Sequence, residues 1–412
     1  MADHRTFVIV GAGLAGATAA ETLRAEGFTG RVVLLGSEPE RPYERPPLSK
    51  GLLLGTATPD SVHVHDADWY PGHGVELRTG CPVTAIDRAT HRVRLTGGEE
   101  LAYDKLLLAT GAGPRDLPVP GADLDGVLRL RTLADSARLA ESVVAGARLV
   151  IIGAGWIGLE IAAAARARGA AVTVVETAAL PLQRVLGDRL AASFAALHRE
   201  HGVVFRFGAH TRELRGTGRV SQVVLTDGTV LDADVVLIAV GVTPDTRLAE
   251  AASLAVDNGI LVDGGLRTED PDIFAAGDVA NWRHPLLGAR IRVEHWANAR
   301  ESGPAAARAM LGRPVSYDRL PYFFTDQYDL GLEYAGWTPP GTATELVIRG
   351  DVDRREFVAF WTAGGRVLAG MNVNVWDVTD PIQDLIRAGL SGATVDPAAL
   401  ADPAVALQDL IS

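Results

Sequence analysis

One cysteine, Cys81, occurs in 412 residues. A single thiol excludes an intrachain disulfide framework, a cysteine-rich metal site and a dithiol redox pair. Cys81 precedes Pro82 and reads as a packed thiol. Lysine is almost as scarce. Among 39 basic residues only Lys50 and Lys105 are lysine; the rest are arginine. No uninterrupted apolar run reaches about 18 residues, so no membrane-spanning helix is expected. The first apolar run, Phe7 to Val10, leads directly into glycines, which does not suit a secretory signal. Excess positive charge is absent too. The net charge of −12 argues against nucleic acid or an anionic membrane as partner of the whole protein. The ten histidines show no metal-ligand spacing, so no metal site is expected, and His63 and His65 in VHVH read as alternating strand residues. A cytoplasmic protein is the expectation.

What is abundant is glycine, 45 residues, and part of it marks a repeated design. Residues 6–38 and 148–176 each read as a buried strand, a glycine turn, an alanine-rich helix and a second buried strand. Apolar runs without alternation suit parallel strands covered on both faces. The glycine motifs are Gly11, Gly13, Gly16 and Gly153, Gly155, Gly158. In such a motif the first glycine makes the strand-to-helix turn. The second lets the backbone approach a pyrophosphate at the helix N-terminus, and the third lets helix and strand pack closely. Glu176 ends the second unit's strand, where a carboxylate would meet an adenosine ribose and repel a 2′-phosphate. That favours NAD over NADP, although Arg184 nearby leaves NADP acceptance open. In the first unit the ribose acceptor is Ser37 or Glu38.

Two dinucleotide folds in one chain imply transfer between two dinucleotides, one of them resident; FAD is the natural resident. The predicted architecture is α/β, with two Rossmann-like domains and, from about Pro321, a C-terminal α+β domain of antiparallel strands with a helix near residues 382–388. The boundaries read as 1–111 with 247–320 for FAD, 112–246 for NAD, and 321–412 for the third domain.

The set of motifs covers nearly the whole chain: GAGLAG from residue 11, RPPLSK at 45–50, ATG at 109–111, GAGWIGLE at 153–160, AAGDVA at 275–280, VEHWANA at 293–299 and FFTDQY at 323–328. Together they resemble the FAD-dependent, NADH-linked ferredoxin reductases of bacterial oxygenase systems. Likeness to apoptosis-inducing factor and to rubredoxin reductases is secondary. The resemblance implies a glutathione-reductase-like fold, non-covalent FAD and hydride delivery from NADH. It also implies single-electron release to a [2Fe-2S] ferredoxin serving a mono- or dioxygenase, a cytochrome mono-oxygenase first among them.

By resemblance, FAD contacts fall on Gly11, Gly13, Leu14, Ala15, Gly16, Ser37, Glu38, Arg45, Lys50, Val83, Ala109, Thr110, Gly111, Arg131, Gly277, Asp278, Glu294, His295 and Trp296. NAD contacts fall on Gly153, Gly155, Trp156, Ile157, Gly158, Glu160, Glu176, Arg184 and Gly241. Two departures stand out: Phe324 occupies a position where relatives commonly carry tryptophan, and Ser37 one where they carry an acid.

Lys50 follows a rigid Pro46-Pro47 pair, which fixes φ and lowers the entropy of the loop. It is a compact charge suited to a single acceptor. Lys50 is expected to pair with Glu160 beside the flavin N5, the two acting as the catalytic pair. The chain has no redox cysteine in the RPPLSK stretch, which sets it apart from peroxide- and oxygen-reducing relatives; an NADH oxidase or peroxidase and a rubredoxin reductase are the alternatives. Ferredoxin docking is expected to be transient and electrostatic, with Arg300, Arg308, Arg349, Arg354 and Arg355 as candidate contacts.

Overall fold

The computed structural model describes residues 3–410, which group into two compact units. Among the described residues, the first comprises 3–44, 62–113 and 243–323, and the second 45–61, 114–242 and 324–410. The division expected from sequence placed 45–61 with the FAD segment and kept 321–412 apart. Contacts group 45–61 and 324–410 with 114–242, and 321–323 with the first unit.

The first unit is built on a five-stranded parallel sheet in the order Ile273–Ala275, Lys105–Leu108, Thr6–Val10, Arg31–Leu35, Val75–Arg78. Its central strands are apolar and fully covered, Phe7, Val8 and Ile9 at zero exposure, as a doubly flanked parallel sheet requires. Helix Leu14–Ala25 lies against helix Trp296–Met310. Small side chains make this approach possible: a Cβ on Gly303 would sit 2.3 Å from the Ala15 carbonyl oxygen. Two three-stranded sheets complete the unit: Val83–Asp87, Arg92–Leu95, Glu100–Ala102, and Ile260–Val262, Ala280–Arg283, Arg290–Ile291. The VHVH stretch is not a strand. Val62 ends a short 3-10 turn, His63 makes one isolated bridge with Tyr43, and His65 stacks on Trp69 at 3.9 Å. Pairing of these rings outweighs the alternation that suggested a strand.

The second unit repeats the design. Its sheet runs Val204–Phe207, Ala171–Glu176, Arg148–Ile152, Val235–Ile238, Val127–Leu128, all parallel. A five-stranded sheet follows in the order 324–327 (the second unit's part of strand Tyr322–Gln327), Leu330–Gly336, Arg366–Val373, Glu356–Ala363, Glu345–Asp351. Helix Thr379–Leu390 packs on it, burying Ile382, Leu385 and Ile386 at i, i+3, i+4 spacing. Arg168 ties segment 45–61 into this unit by donating to the carbonyls of Leu53, Ala140 and Val143 at 2.7–2.8 Å.

Candidate functional site: two glycine turns and a buried ion pair

Both glycine motifs take the same form. Gly11 has φ of 115° and donates to the Leu35 carbonyl at 2.8 Å; Gly153 has φ of 106° and donates to the Val175 carbonyl at 2.8 Å. Such φ values favour glycine, and a Cβ at either would strike a strand carbonyl, Ala109 O at 2.0 Å or Ala239 O at 2.3 Å. A Cβ on Gly16 or Gly158 would meet Gly11 O at 2.0 Å or Gly153 O at 2.4 Å. The middle glycines differ: a Cβ on Gly13 or Gly155 would meet nothing within 4 Å. Each is the N-cap of a 12-residue helix and offers no side chain to the first amides. Open space in front of uncapped helical N–H groups is the shape a pyrophosphate fills.

The acids beside the turns are placed differently. Glu176 directly follows Val175, and its carboxylate accepts from the Ala154 amide at 2.7 Å inside the turn and from Ala178 N at 2.8 Å. The equivalent residue in the first unit is Gly36, where a Cβ would lie 2.8 Å from that of Ala12. No acid fits there. The acid comes two residues later: Glu38 is half-buried and accepts the Tyr43 hydroxyl at 2.5 Å, while Ser37 is exposed.

Around the first turn, Leu14 and Ala15 open the helix, Ala109–Gly111 close the neighbouring strand, and Thr110 donates to Asp245 O at 2.7 Å. Gly277 (φ 75°) brings its 3-10 turn close to Ala15, so that a Cβ on it would stand 3.1 Å from the Ala15 methyl, and Asp278 follows it. Val83 starts its strand half-buried. Glu294 pairs with Arg292 at 2.5 Å. His295 caps helix Trp296–Met310. Burial drives its pKa down to about 4, against the opposing pull of Asp278, and its Nδ1 has no hydrogen-bond partner among the described residues. A buried, unsatisfied polar atom beside a glycine cradle fits a bound polar ring system. The residues present therefore fit an FAD.

In the second unit, Arg45 donates to the Arg131 carbonyl, and Gly241 (φ 103°) faces open space. Trp156 starts its helix edge-on to Phe194 at 5.9 Å, Ile157 is exposed, and Arg184 is exposed at the start of helix Gln183–Glu200. The buried end of the Trp156–Ala167 helix holds the main electrostatic feature. Glu160 is 8% exposed. Ser49 donates to its Oε2 at 2.5 Å, Thr325 to its Oε1 at 2.6 Å, and Lys50 Nζ stands 3.5 Å from Oε1. Lys50 also bonds Asp326 at 3.0 Å and lies over the Phe324 ring at 4.5 Å. Burial pushes the Glu160 carboxyl up from its ordinary value; Lys50 and then the two hydroxyls oppose the rise.

Sequence reasoning paired Lys50 with Glu160 but missed Ser49, Thr325 and Asp326 as their partners. The candidate docking arginines are mostly engaged locally. Arg308 pairs with Glu26 at 2.9 Å, Arg355 with Glu200 at 2.5 Å and Arg354 with Asp351 at 3.6 Å, while Arg349 donates to Val405 O. Arg300 stacks over Trp296 at 5.0 Å. Among the described residues no cluster of metal-binding side chains occurs, and no helix is long and apolar enough to cross a membrane. Cys81 is half-buried and free of disulfide.

Comparison with known proteins agrees with this geometry. The pattern of the pyridine nucleotide-disulphide oxidoreductases matches residues 5–303, and a reductase C-terminal pattern matches 322–411. The ferredoxin–NAD(+) reductase component of the anthranilate 1,2-dioxygenase system of Burkholderia cepacia is 43% identical over 98% of this chain and 99% of its own. Putidaredoxin reductase of Pseudomonas putida is 37% identical over 100% and 98%. Among solved structures, the covalent putidaredoxin reductase–putidaredoxin complex superposes with a TM-score of 0.94 at 36% identity, covering 100% of this chain and 99% of the other. The architecture is that of the glutathione-reductase-like flavoproteins.

Proposed function

The chain belongs to the pyridine nucleotide-disulphide oxidoreductase family, and we propose that within it this enzyme takes electrons from NADH and passes them to a [2Fe-2S] ferredoxin that serves a mono- or dioxygenase. The reductase component of a dioxygenase system and a putidaredoxin reductase are similar over 98% and 100% of the chain, and we favour a cytochrome mono-oxygenase as the final acceptor. The observation that carries the reading is the pair of glycine turns of one geometry, each with an open middle glycine.

When bound, FAD accepts a hydride and releases electrons singly, which joins a two-electron donor to a one-electron acceptor. The chain's own residues do the rest. Gly11, Gly13 and Gly16 with the first amides of helix Leu14–Ala25 would hold its pyrophosphate, and Glu38 rather than Ser37 its ribose. Glu38 is the stronger acceptor and is held in place by Tyr43. Asp278, His295 and Trp296 would face the rest of the group; neutral His295 can accept or donate without adding charge. Gly153, Gly155 and Gly158 bind the NADH pyrophosphate, and Glu176 discriminates against a 2′-phosphate. Lys50 and Glu160 act as the catalytic pair, Lys50 as a fixed cation near developing negative charge. Phe324 and Asp326 hold the ammonium in place. This reading keeps three functional segments, 1–111 with 247–320, 112–246 and 321–412, and a cytoplasmic location beside the NADH pool.

Denaturing the purified protein should release stoichiometric FAD, and anaerobic NADH should bleach the flavin of the intact enzyme. A colourless preparation that binds no added FAD would refute the reading.

A further inference from the structure

Glu160 is the end of a longer buried chain of hydrogen bonds. Thr325 Oγ1 donates to Glu160 Oε1 at 2.6 Å. Gln327 Nε2 donates to Thr325 Oγ1 at 3.3 Å, and Gln327 Oε1 lies 2.8 Å from His198 Nε2. The Tyr328 hydroxyl lies 3.3 Å from His198 Nδ1, and its ring stacks on His201 at 3.6 Å. His198, Thr325 and Gln327 are 0%, 1% and 1% exposed. Thr325 and Gln327 share one face of strand Tyr322–Gln327. His198 comes from helix Gln183–Glu200, and Tyr328 takes a left-handed φ of 58° that its side chain does not favour.

The bonds run one way. A carboxylate can only accept, so the Thr325 hydroxyl must donate to it. The amide NH2 of Gln327 then donates to the Thr325 oxygen, which leaves the Gln327 carbonyl facing His198. Only an Nε2–H imidazole satisfies that carbonyl, and the freed Nδ1 accepts from Tyr328. The partners thus assign one tautomer to His198 and one orientation to Gln327. Burial keeps the imidazole neutral, its pKa lowered to about 4, with His201 adding to the effect and Gln327 opposing it. In a low-dielectric interior such aligned bonds polarise one another.

We propose that His198 is a positioning residue for hydride transfer, acting on Glu160 through Gln327 and Thr325. The proposal rests on the reading of Lys50 and Glu160 as the catalytic pair. Without the Nε2–H donor the Gln327 amide is free to turn over. Its NH2 then no longer points at Thr325, and the threonine hydroxyl loses the bond that aims it at Oε1. Besides Thr325, the charged and polar groups facing Glu160 are Lys50, with Asp326 behind it, and Ser49; none of them touches His198.

The test uses the FAD-loaded enzyme with 15N-labelled histidine and 13C-labelled glutamate, read by NMR. Wild-type His198 should show the Nε2–H tautomer from about pH 5 to about pH 9; an Nδ1–H form overturns the proposal, even if no variant folds. Glu160, identified through E160Q, should titrate at higher pH in His198→Leu, and His198→Gln, whose amide can restore the donor, should return it toward wild type. The double variant H198L/T325V should titrate as T325V does, because both changes cut one chain. An unchanged Glu160 titration in H198L, or additive shifts in the double variant, overturns the wiring. An E160Q enzyme that NADH reduces at the wild-type rate overturns instead the premise that Glu160 serves the reaction.

Discussion

Replacing Lys50 with methionine removes one side of the buried pair and keeps the length of the stem. At 3.5 Å and an effective dielectric of about 20, the Lys50–Glu160 attraction is about 5 kcal/mol. Both side chains are well covered, 17% and 9% exposed, so solvent replaces little of it. Breaking a buried pair by removing one partner typically costs about 3–5 kcal/mol. Asp326 is 62% exposed and can turn to water, so the loss concentrates on Glu160, which relieves it by binding a proton. The folded variant then holds a proton that the unfolded chain, at the ordinary carboxylate value of 4.5, has released. More protons on the folded state means that stability falls as pH rises above that value, and below it the penalty disappears. The K50M variant should therefore be about 3 kcal/mol less stable than wild type at about pH 8, a drop of roughly 3–4 °C in Tm. The gap should close toward about pH 4.5. Stopped-flow bleaching by NADH should slow on the order of 100-fold. A stability gap that ignores pH, or unimpaired bleaching, refutes the account of the pair.

Gly155→Ala should fold normally, since its Cβ meets nothing, yet raise KM for NADH at least ~10-fold by blocking the pyrophosphate. Gly153→Ala should instead fail on stability, by more than about 2 kcal/mol, because of its φ of 106° and the Ala239 carbonyl. Thermal melts beside steady-state kinetics separate the two. Glu176→Ala should narrow the preference for NADH over NADPH by about 10-fold or more, read as the ratio of kcat/KM values. Ferredoxin reduction should slow steeply with ionic strength, and Arg354→Glu, at an exposed docking candidate, should slow it further while leaving NADH bleaching intact; a flat salt response removes electrostatic docking.

The glycine turns were legible because their physics is local. Positive φ at Gly11 and Gly153 and close approach at Gly16 and Gly158 are needs that only glycine meets at that spacing. Glu176 was legible for the same reason. The first unit's acid was not, because the room left at Gly36 depends on Ala12 across the turn. The Lys50–Glu160 pairing was reached from one odd lysine behind two prolines and from a family likeness. Its supporting set was hidden by distance: Thr325 lies 165 residues from Glu160, and Asp326 lies 276 from Lys50. His198 carries no local signal at all, since a histidine near the end of a helix reads as surface until a strand arrives to cover it. The contacts that group 45–61 with the second unit, Arg168 to Leu53 and Ser49 to Glu160, span 115 and 111 residues and leave no local trace in the sequence.

Double mixing tests the central claim most directly. The FAD-loaded enzyme is first reduced anaerobically with NADH, then mixed either with an oxidised [2Fe-2S] ferredoxin or with oxygenated buffer. Rapid bleaching, rapid reoxidation by ferredoxin and slow reoxidation by oxygen are the predicted results. Rapid turnover with oxygen alone, with no acceleration by ferredoxin, would contradict the assignment and indicate an NADH oxidase.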